Sequence, residues 1–349
     1  MSFDLGKLGV KRNVPRVNFT EYSGIISAPA KFGKTTLASM YPKSILLAFE
    51  KGYKAQSVNV KDINEWDDFV EFIDLLEEHR DEIGDSIQTI TIDTVNMAYA
   101  MAEPYMLRKE SIKDGKRYTK KEDIPYGQGW GRHDKYFEEQ IQRIYSLGFQ
   151  PTYITHMEIK TVRPKDGEEY DVYKTTMPDR LANIIFPECD YIIYGDRITL
   201  KDENGEPVTK RRITTRGNEV IQAGNRVYLE EDIIFDNEKE AMDKFQKLFT
   251  ESIKRNLANA GVNKDFEELK AEQAEERKAE VETTIKNISS TEVNKELFEA
   301  FNEKFKTAAT DDKAKAMAFM KENEINVDKL KDYESMDTEQ FKELVELLG

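Results

Sequence analysis

Residues 27–36 read SAPAKFGKTT, one position away from the phosphate-loop pattern G-x-x-x-x-G-K-[ST]. Ala28 holds the first glycine position, while Gly33, Lys34 and Thr35 stand where the pattern requires them. The glycine before the lysine matters because a side chain there would crowd the bend. The first position ends a strand, where a methyl group fits at negative φ, and Pro29 removes only one backbone N–H. Context carries the reading further. GIISA (24–28) is a short apolar strand before the loop, and KTTLASMY (34–41) starts a helix after it. Such a loop offers consecutive N–H groups at a helix N-terminus to a polyphosphate. Its lysine reaches the β- and γ-phosphates, and its hydroxyl residue ligates Mg²⁺. The expected nucleotide cradle is Ala28, Pro29, Ala30, Lys31, Phe32, Gly33, Lys34, Thr35 and Thr36, with Thr35 on the metal.

The flanking sequence continues the same alternation. SILLAFE (44–50), TITID (89–93), PTYITHM (151–157) and DYIIYG (190–195) are further short apolar runs. Between them, 64–79 and 134–148 repeat apolar residues at helical spacing, and Gly148 closes the second. Strands alternating with amphipathic helices predict an α/β fold, a mainly parallel sheet flanked by helices. Two polar excursions read as hairpins: 158–178 around a DG turn, and 198–216 turning at Asn204-Gly205. From residue 236 the pattern is helix only. The expected organisation is an N-terminal segment 1–20, an α/β domain 21–235 and an acidic helical region 236–349. Within the last, DFEELKAEQAEERKAEVETTIK (265–286) reads as a linker or an exposed helix.

Composition bounds the function classes. The 349 residues are 39% hydrophobic and 34% charged, the balance of a polar globular protein. No run approaches the ~18 apolar residues of a membrane span, and no signal-type apolar segment opens the chain. A single cysteine, Cys189, cannot form an internal disulfide, so a reducing cytoplasm is the expected setting. The net charge of −15 divides into −6 over residues 1–235 and −9 over 236–349. Any nucleic-acid site is therefore expected as a local basic patch in the first two-thirds.

A phosphate loop needs a second carboxylate on a neighbouring strand for its Mg²⁺ shell. Asp93, ending TITID, supplies it, and the same residue suits capping of the next helix. Glu50 ends the strand after the loop helix and His156 the fourth strand; in a parallel sheet those ends converge on the ligand crevice. Glu50 is the candidate to activate water, His156 to sense the γ-phosphate. Each also has a bland reading, an exposed loop glutamate and a structural histidine.

GIISAPAKFGKTTLA, LLAFEKG, TITIDT, YGQGWGRHDKYFEEQIQRIYSLG and PTYITHM stand in the order of the phage RecA-like P-loop ATPases. The chain resembles that family over roughly residues 20–235. The resemblance implies a RecA-like core that binds ATP and Mg²⁺, with Lys34 and Glu50 catalytic and His156 coupling nucleotide state to DNA loops. It implies single-stranded DNA as partner, annealing or strand exchange in phage recombination, and a homo-oligomeric ring or filament with ATP at subunit interfaces. A single-strand-binding or recombination protein is an expected partner of the C-terminal region, and the host cytoplasm the expected location. Relatives carry a Lys-x-Arg contributed to the neighbour's nucleotide. Here Gly224 replaces that lysine, Arg226 is kept as the candidate catalytic finger, and Arg211 and Arg212 are rivals.

The family's DNA loops follow the third and fourth strands, where two basic segments interleave with aromatics. The first holds Arg108, Lys109, Lys113, Lys116, Arg117, Lys120, Lys121, Trp130 and Arg132, the second Lys160 and Arg163. Solvated loops are the competing reading of both. Two other functions fit the loop: a P-loop kinase, disfavoured by the single arginine in 158–178, and a nucleotide-gated binding protein acting through its helical C-terminus.

Overall fold

The apolar run Gly24–Ala28 forms β1, and every residue of it is buried. A run buried on both faces is expected for a strand at the centre of a covered parallel sheet. The computed structural model describes residues 5–8, 10, 12–84, 86–323, 325–326, 329–330, 332–333 and 336–348. In chain order the remaining strands are β2 (Ser44–Ala48), β3 (Val60–Asp62), β4 (Thr89–Asp93), β5 (Thr152–Val162) and β6 (Tyr170–Thr175). They continue with β7 (Tyr191–Lys201), β8 (Pro207–Thr214), β9 (Gly224–Asn225) and β10 (Ile233–Phe235). The sheet order is β10-β8-β7-β1-β5-β4-β2-β3, with β6 on β5 and β9 on β7. From β7 to β3 the neighbours run parallel. β6, β8, β9 and β10 pair antiparallel. The fold is α/β with a mostly parallel central sheet, as the alternation predicts.

Helices cover both faces: α1 (Lys34–Ser39), α2 (Trp66–Glu78), the short α3 (Arg80–Ile83), α4 (Val95–Asp114), α5 (Gln128–Ser146), α6 (Asp179–Glu188) and α7 (Glu238–Asn259). Successive strand residues point to opposite faces, so Ile25 and Ile26 enter different cores. Ile25, Ile92 and Tyr153 pack with Phe69, Ile73, Ala98, Phe137 and Leu181 from α2, α4, α5 and α6. Ile26, Ala28, Ile154 and Ile193 pack with Leu37 of α1 and Phe245, Phe249 and Ile253 of α7.

Both predicted hairpins form. β5 outruns its parallel neighbours and pairs with β6 from Met157↔Thr175 to Val162↔Tyr170. β7 and β8 turn through Gly205, whose φ of +87° suits glycine.

The domain boundary differs from the one expected. The chain divides into compact units at 1–277 and 278–349, not at 235. α7 belongs to the first unit because Phe245 and Phe249 complete the core beside Phe19 and Tyr22. The start of 265–286 is not a bare linker either. In α8 (Phe266–Thr307), Leu269 is buried and Gln273 is 3% exposed. Gln273 accepts from Val17 N at 2.9 Å and donates to Pro15 O at 3.0 Å. The second unit, with α9 (Thr310–Glu322) and α10 (Thr338–Glu346), has its own core around Phe301, Ala316, Phe341 and Leu344. Among the described residues no helix is long and apolar enough to cross a membrane.

Candidate functional site

The loop after β1 turns on Gly33, at φ +108°, and Lys31 is also left-handed at φ +60°. The positive φ favours glycine at this position, and a Cβ there would also displace the Glu238 carboxylate, whose Oε1 would lie 2.5 Å away. Ala28 ends β1 fully buried in the core, which explains why a methyl replaces the usual glycine. Among the described residues, the backbone N–H groups of Gly33, Lys34, Thr35 and Thr36 have no protein acceptor. They surround the start of α1, where a helix dipole favours an anion.

The C-terminal ends of β1, β2 and β4 lie level with one another and with the middle of β5. His156 therefore does not end its strand, as the sequence predicts, but sits where β5 runs on past its neighbours into the hairpin. Ala28 pairs with His156, Ala48 with Asp93, and Asp93 with Ile154. This register gathers Lys34, Thr35, Glu50, Asp93 and His156. Lys34 Nζ donates to Ala28 O and Pro29 O, each at 3.0 Å, and lies 3.3 Å from His156 Nδ1. Thr35 Oγ1 donates to Asp93 Oδ2 at 2.6 Å. Glu50 Oε1 accepts from Thr94 Oγ1 at 2.6 Å, and its Oε2 lies 3.6 Å from His156 Nε2.

Burial sets the electrostatics. Desolvation lowers the Lys34 pKa, against the pull of Asp93 and Glu50. It raises that of Asp93, against the Thr35 hydrogen bond. A cation and a carboxylate short of water are sites that a Mg²⁺-polyphosphate would satisfy, and the unpaired N–H groups fit the same ligand. Thr35 Oγ1 and Asp93 are the groups that could hold the metal. Glu50, half-exposed and oriented by Thr94, could hold and deprotonate a water.

His156 is also tied to the hairpin. Its carbonyl accepts from Thr176 N at 2.9 Å and Thr176 Oγ1 at 3.3 Å. Asn96 Nδ2, in the first turn of α4, donates to Thr176 O at 3.1 Å.

Arg226 does not join this cluster. It follows β9, which pairs with the first residues of β7 at the opposite sheet edge. Its guanidinium donates to Pro187 O at 2.7 Å, with Asp190 at 3.9 Å. Arg212 is held by Asp196 at 2.6 Å. Arg211 does reach the loop: its Nη1 donates to Phe32 O at 3.1 Å, and Arg197 Nη2 donates to Lys31 O at 2.9 Å. Sequence reasoning missed Thr94, Asn96 and Arg197. Only the TITIDT run, which sets a hydroxyl next to Asp93, hinted at the first.

The basic segment divides. Arg108 pairs with Asp67, Lys121 with Glu103 at 2.8 Å, Arg132 with Glu110, and Arg163 with Glu169 at 2.9 Å. Lys121 is buried with its ammonium 4.2 Å from the Trp130 ring centroid. These side chains are engaged in local ion pairs. Lys109, Lys113, Lys116, Arg117 and Lys160 are exposed and form no ion pair among the described residues, while Lys120, also exposed, lies beside Asp123, which accepts from its backbone N–H at 3.1 Å. Tyr126, at φ +60°, is 96% exposed beside them in sequence.

Comparison with known proteins agrees with this geometry. The family described as AAA domain matches residues 20–227. The SPbeta prophage-derived uncharacterized protein YorG of Bacillus subtilis (strain 168) is 30% identical over 142 residues. That match covers 40% of this chain and 40% of the relative, so the chain spans well under half the length of the curated protein it matches.

Proposed function

The chain belongs to the AAA domain family, and from that premise we propose that it is a Mg²⁺-dependent ATPase with a RecA-like core. The observation that carries this reading is the gathering of Lys34, Thr35, Glu50, Asp93 and His156 beneath N–H groups that lack protein acceptors. Lys34 would exchange its two loop carbonyls for phosphate oxygens. Thr35 and Asp93 would hold Mg²⁺, which when bound neutralises charge on the phosphate oxygens. Glu50 would accept the proton of the attacking water, kept in place by Thr94. His156, between Glu50 and Lys34, would pass nucleotide state through Thr176 to the β5–β6 hairpin.

The partner proposed is single-stranded DNA, bound during annealing or strand exchange. The name of the prophage-derived relative supports a phage setting. Of the two basic segments, the hairpin with Lys160 follows directly on His156. The exposed lysines near residues 113–120 stand at the far end of α4, about 30 Å along the helix from Asp93. Coupling to nucleotide is therefore proposed at the hairpin, with the other segment adding backbone affinity. Assembly as a ring or filament would bring Arg226 to a neighbour's nucleotide, since its sheet edge is opposite the loop.

A second reading is a nucleotide-gated binding protein, favoured by the separate core of residues 278–349, which would suit a partner-binding module. The test is steady-state ATP turnover with and without single-stranded DNA, on wild type and Glu50→Gln. Glu50→Gln is expected to keep nucleotide affinity and lose turnover by ~10²-fold or more. Full turnover in that variant would remove Glu50 from the mechanism. Background turnover in wild type, with or without DNA, would favour the second reading.

A further inference from the structure

Two arginines grip the outer side of the phosphate loop. Arg197 on β7 and Arg211 on β8 are direct cross-strand partners, so both side chains leave the ribbon on one face. They donate to consecutive loop carbonyls, Lys31 O at 2.9 Å and Phe32 O at 3.1 Å. We propose that Arg211, seconded by Arg197, is a positioning residue of the phosphate cradle. By holding the carbonyls of residues 31 and 32 outward, the pair keeps the adjacent N–H groups preset for a polyphosphate. The proposal rests on the nucleotide reading of this site.

Arg211 is itself fixed on several sides. It pairs with Glu238 in the first turn of α7 and donates to Asp236 O at 2.6 Å. Its guanidinium carbon lies 4.9 Å from the Phe235 ring centroid. The loop side chain between the two grips is locked as well. Phe32 is 1% exposed and meets Phe235 edge-on at 5.9 Å. Gly195, two residues before Arg197, leaves room for it: a Cβ there would lie 2.5 Å from the Phe32 ring. The carboxylate of Glu238 also fills the space beside Gly33. Loop backbone, buried ring and two guanidinium groups thus define one conformation.

The consequence is energetic. A loop that must be ordered on binding loses affinity for every ligand that uses it, whereas a preset loop does not. This separates a positioning arginine from a charge-stabilising finger. Removing a positioning group weakens ADP and ATP alike, because both use the same N–H groups. Removing a finger lowers kcat and leaves ground-state affinity nearly intact.

The experiment measures ADP and ATP affinity by calorimetry, and kcat and KM by turnover, on the full chain. The variants are Arg211→Met, Arg211→Lys, Arg197→Met and Lys34→Ala. Arg211→Met is expected to weaken ADP and ATP by one common factor of about ten, with KM rising by the same factor and kcat falling far less. Arg211→Lys recovers part of the loss, since one ammonium can hold one carbonyl. Arg197→Met gives a smaller common loss and, lying outside the Glu238 pair, tests the proposal should Arg211→Met fail to fold. Unchanged ADP affinity in both methionine variants, or a fall confined to kcat, overturns the proposal. Failure of the underlying reading looks different: wild type would not bind ADP, or Lys34→Ala would bind it normally.

Discussion

Cys189 sits at the end of α6 with its thiol 3.6 Å from Ser23 Oγ. Ser23 Oγ in turn lies 2.9 Å from Tyr145 OH, and Tyr153 OH donates to Tyr145 OH at 3.3 Å. Burial pushes the Cys189 thiol up to about 12, and raises both tyrosines beyond their ordinary value. A folded-state pKa above the unfolded one means the folded chain keeps a proton that the unfolded chain releases. The stabilisation is full below the ordinary thiol value near 9 and is lost as pH rises from there towards 12. By pH 10 the loss from this residue amounts to about 1 kcal/mol, before the tyrosines add theirs. Urea midpoints at pH 7 and pH 10 check this, and Cys189→Ala should flatten the fall between pH 9 and 10. An equal fall in the variant would assign the alkaline loss elsewhere. Residues of this kind escape sequence reading because their chemistry comes from what surrounds them. Lys34 and Thr35 were legible because a motif fixes their spacing, and Asp93 because it ends an apolar strand-type run. Glu50 was legible because it follows a strand end, and His156 because the sequence change after Met157 marks where β5 passes its parallel neighbours. Arg211 appeared in the sequence only as a rival finger, since its actual contact is a backbone carbonyl across the sheet.

At the scale of elements, turn chemistry and periodicity carried most of the fold. The DG and NG turns marked both hairpins, and the apolar runs marked β1, β2, β4, β5 and β7. β3, β9 and β10 are two or three residues long, too short for period-two alternation to register. The start of α8 was obscured for another reason: its surface charge hides a narrow buried stripe holding Leu269 and Gln273. Gln273 uses both ends of its amide, on Val17 N and Pro15 O, to pin the chain before β1. Gln273→Ala leaves a buried N–H and a carbonyl unpaired and should lower stability by about 1–3 kcal/mol. Gln273→Glu should do no better, because a carboxylate cannot donate to Pro15 O. The two tryptophans of the chain, Trp66 and Trp130, both lie in the first unit, so their fluorescence reads its unfolding alone. Unchanged midpoints in both variants would show that α8 adds nothing to that unit.

For the whole molecule, the rise in acidity after residue 235 correctly signals a change of character but not the place where the chain divides. Composition counts charge, whereas a compact unit is defined by who completes its core. α7 is charged on its outer side and still buries Phe245, Phe249, Ile253 and Leu257. Phe245 meets Tyr191 at 5.6 Å, on the strand next to β1, and Glu238 at the helix start holds Arg211 against the loop. A chain ending at 235 loses this layer and exposes an apolar sheet face, at about 1.5–3 kcal/mol for each large side chain left without its partners. Residues 1–277 keep the layer and the Gln273 clasp. We therefore expect residues 1–277 to show the full-length tryptophan-monitored midpoint and ADP affinity, and residues 1–235 to show no cooperative transition. A cooperative, nucleotide-binding 1–235 fragment would return α7 to the C-terminal region. A 1–277 fragment with lowered affinity would show that the loop clamped by α7 is not by itself enough for full nucleotide binding.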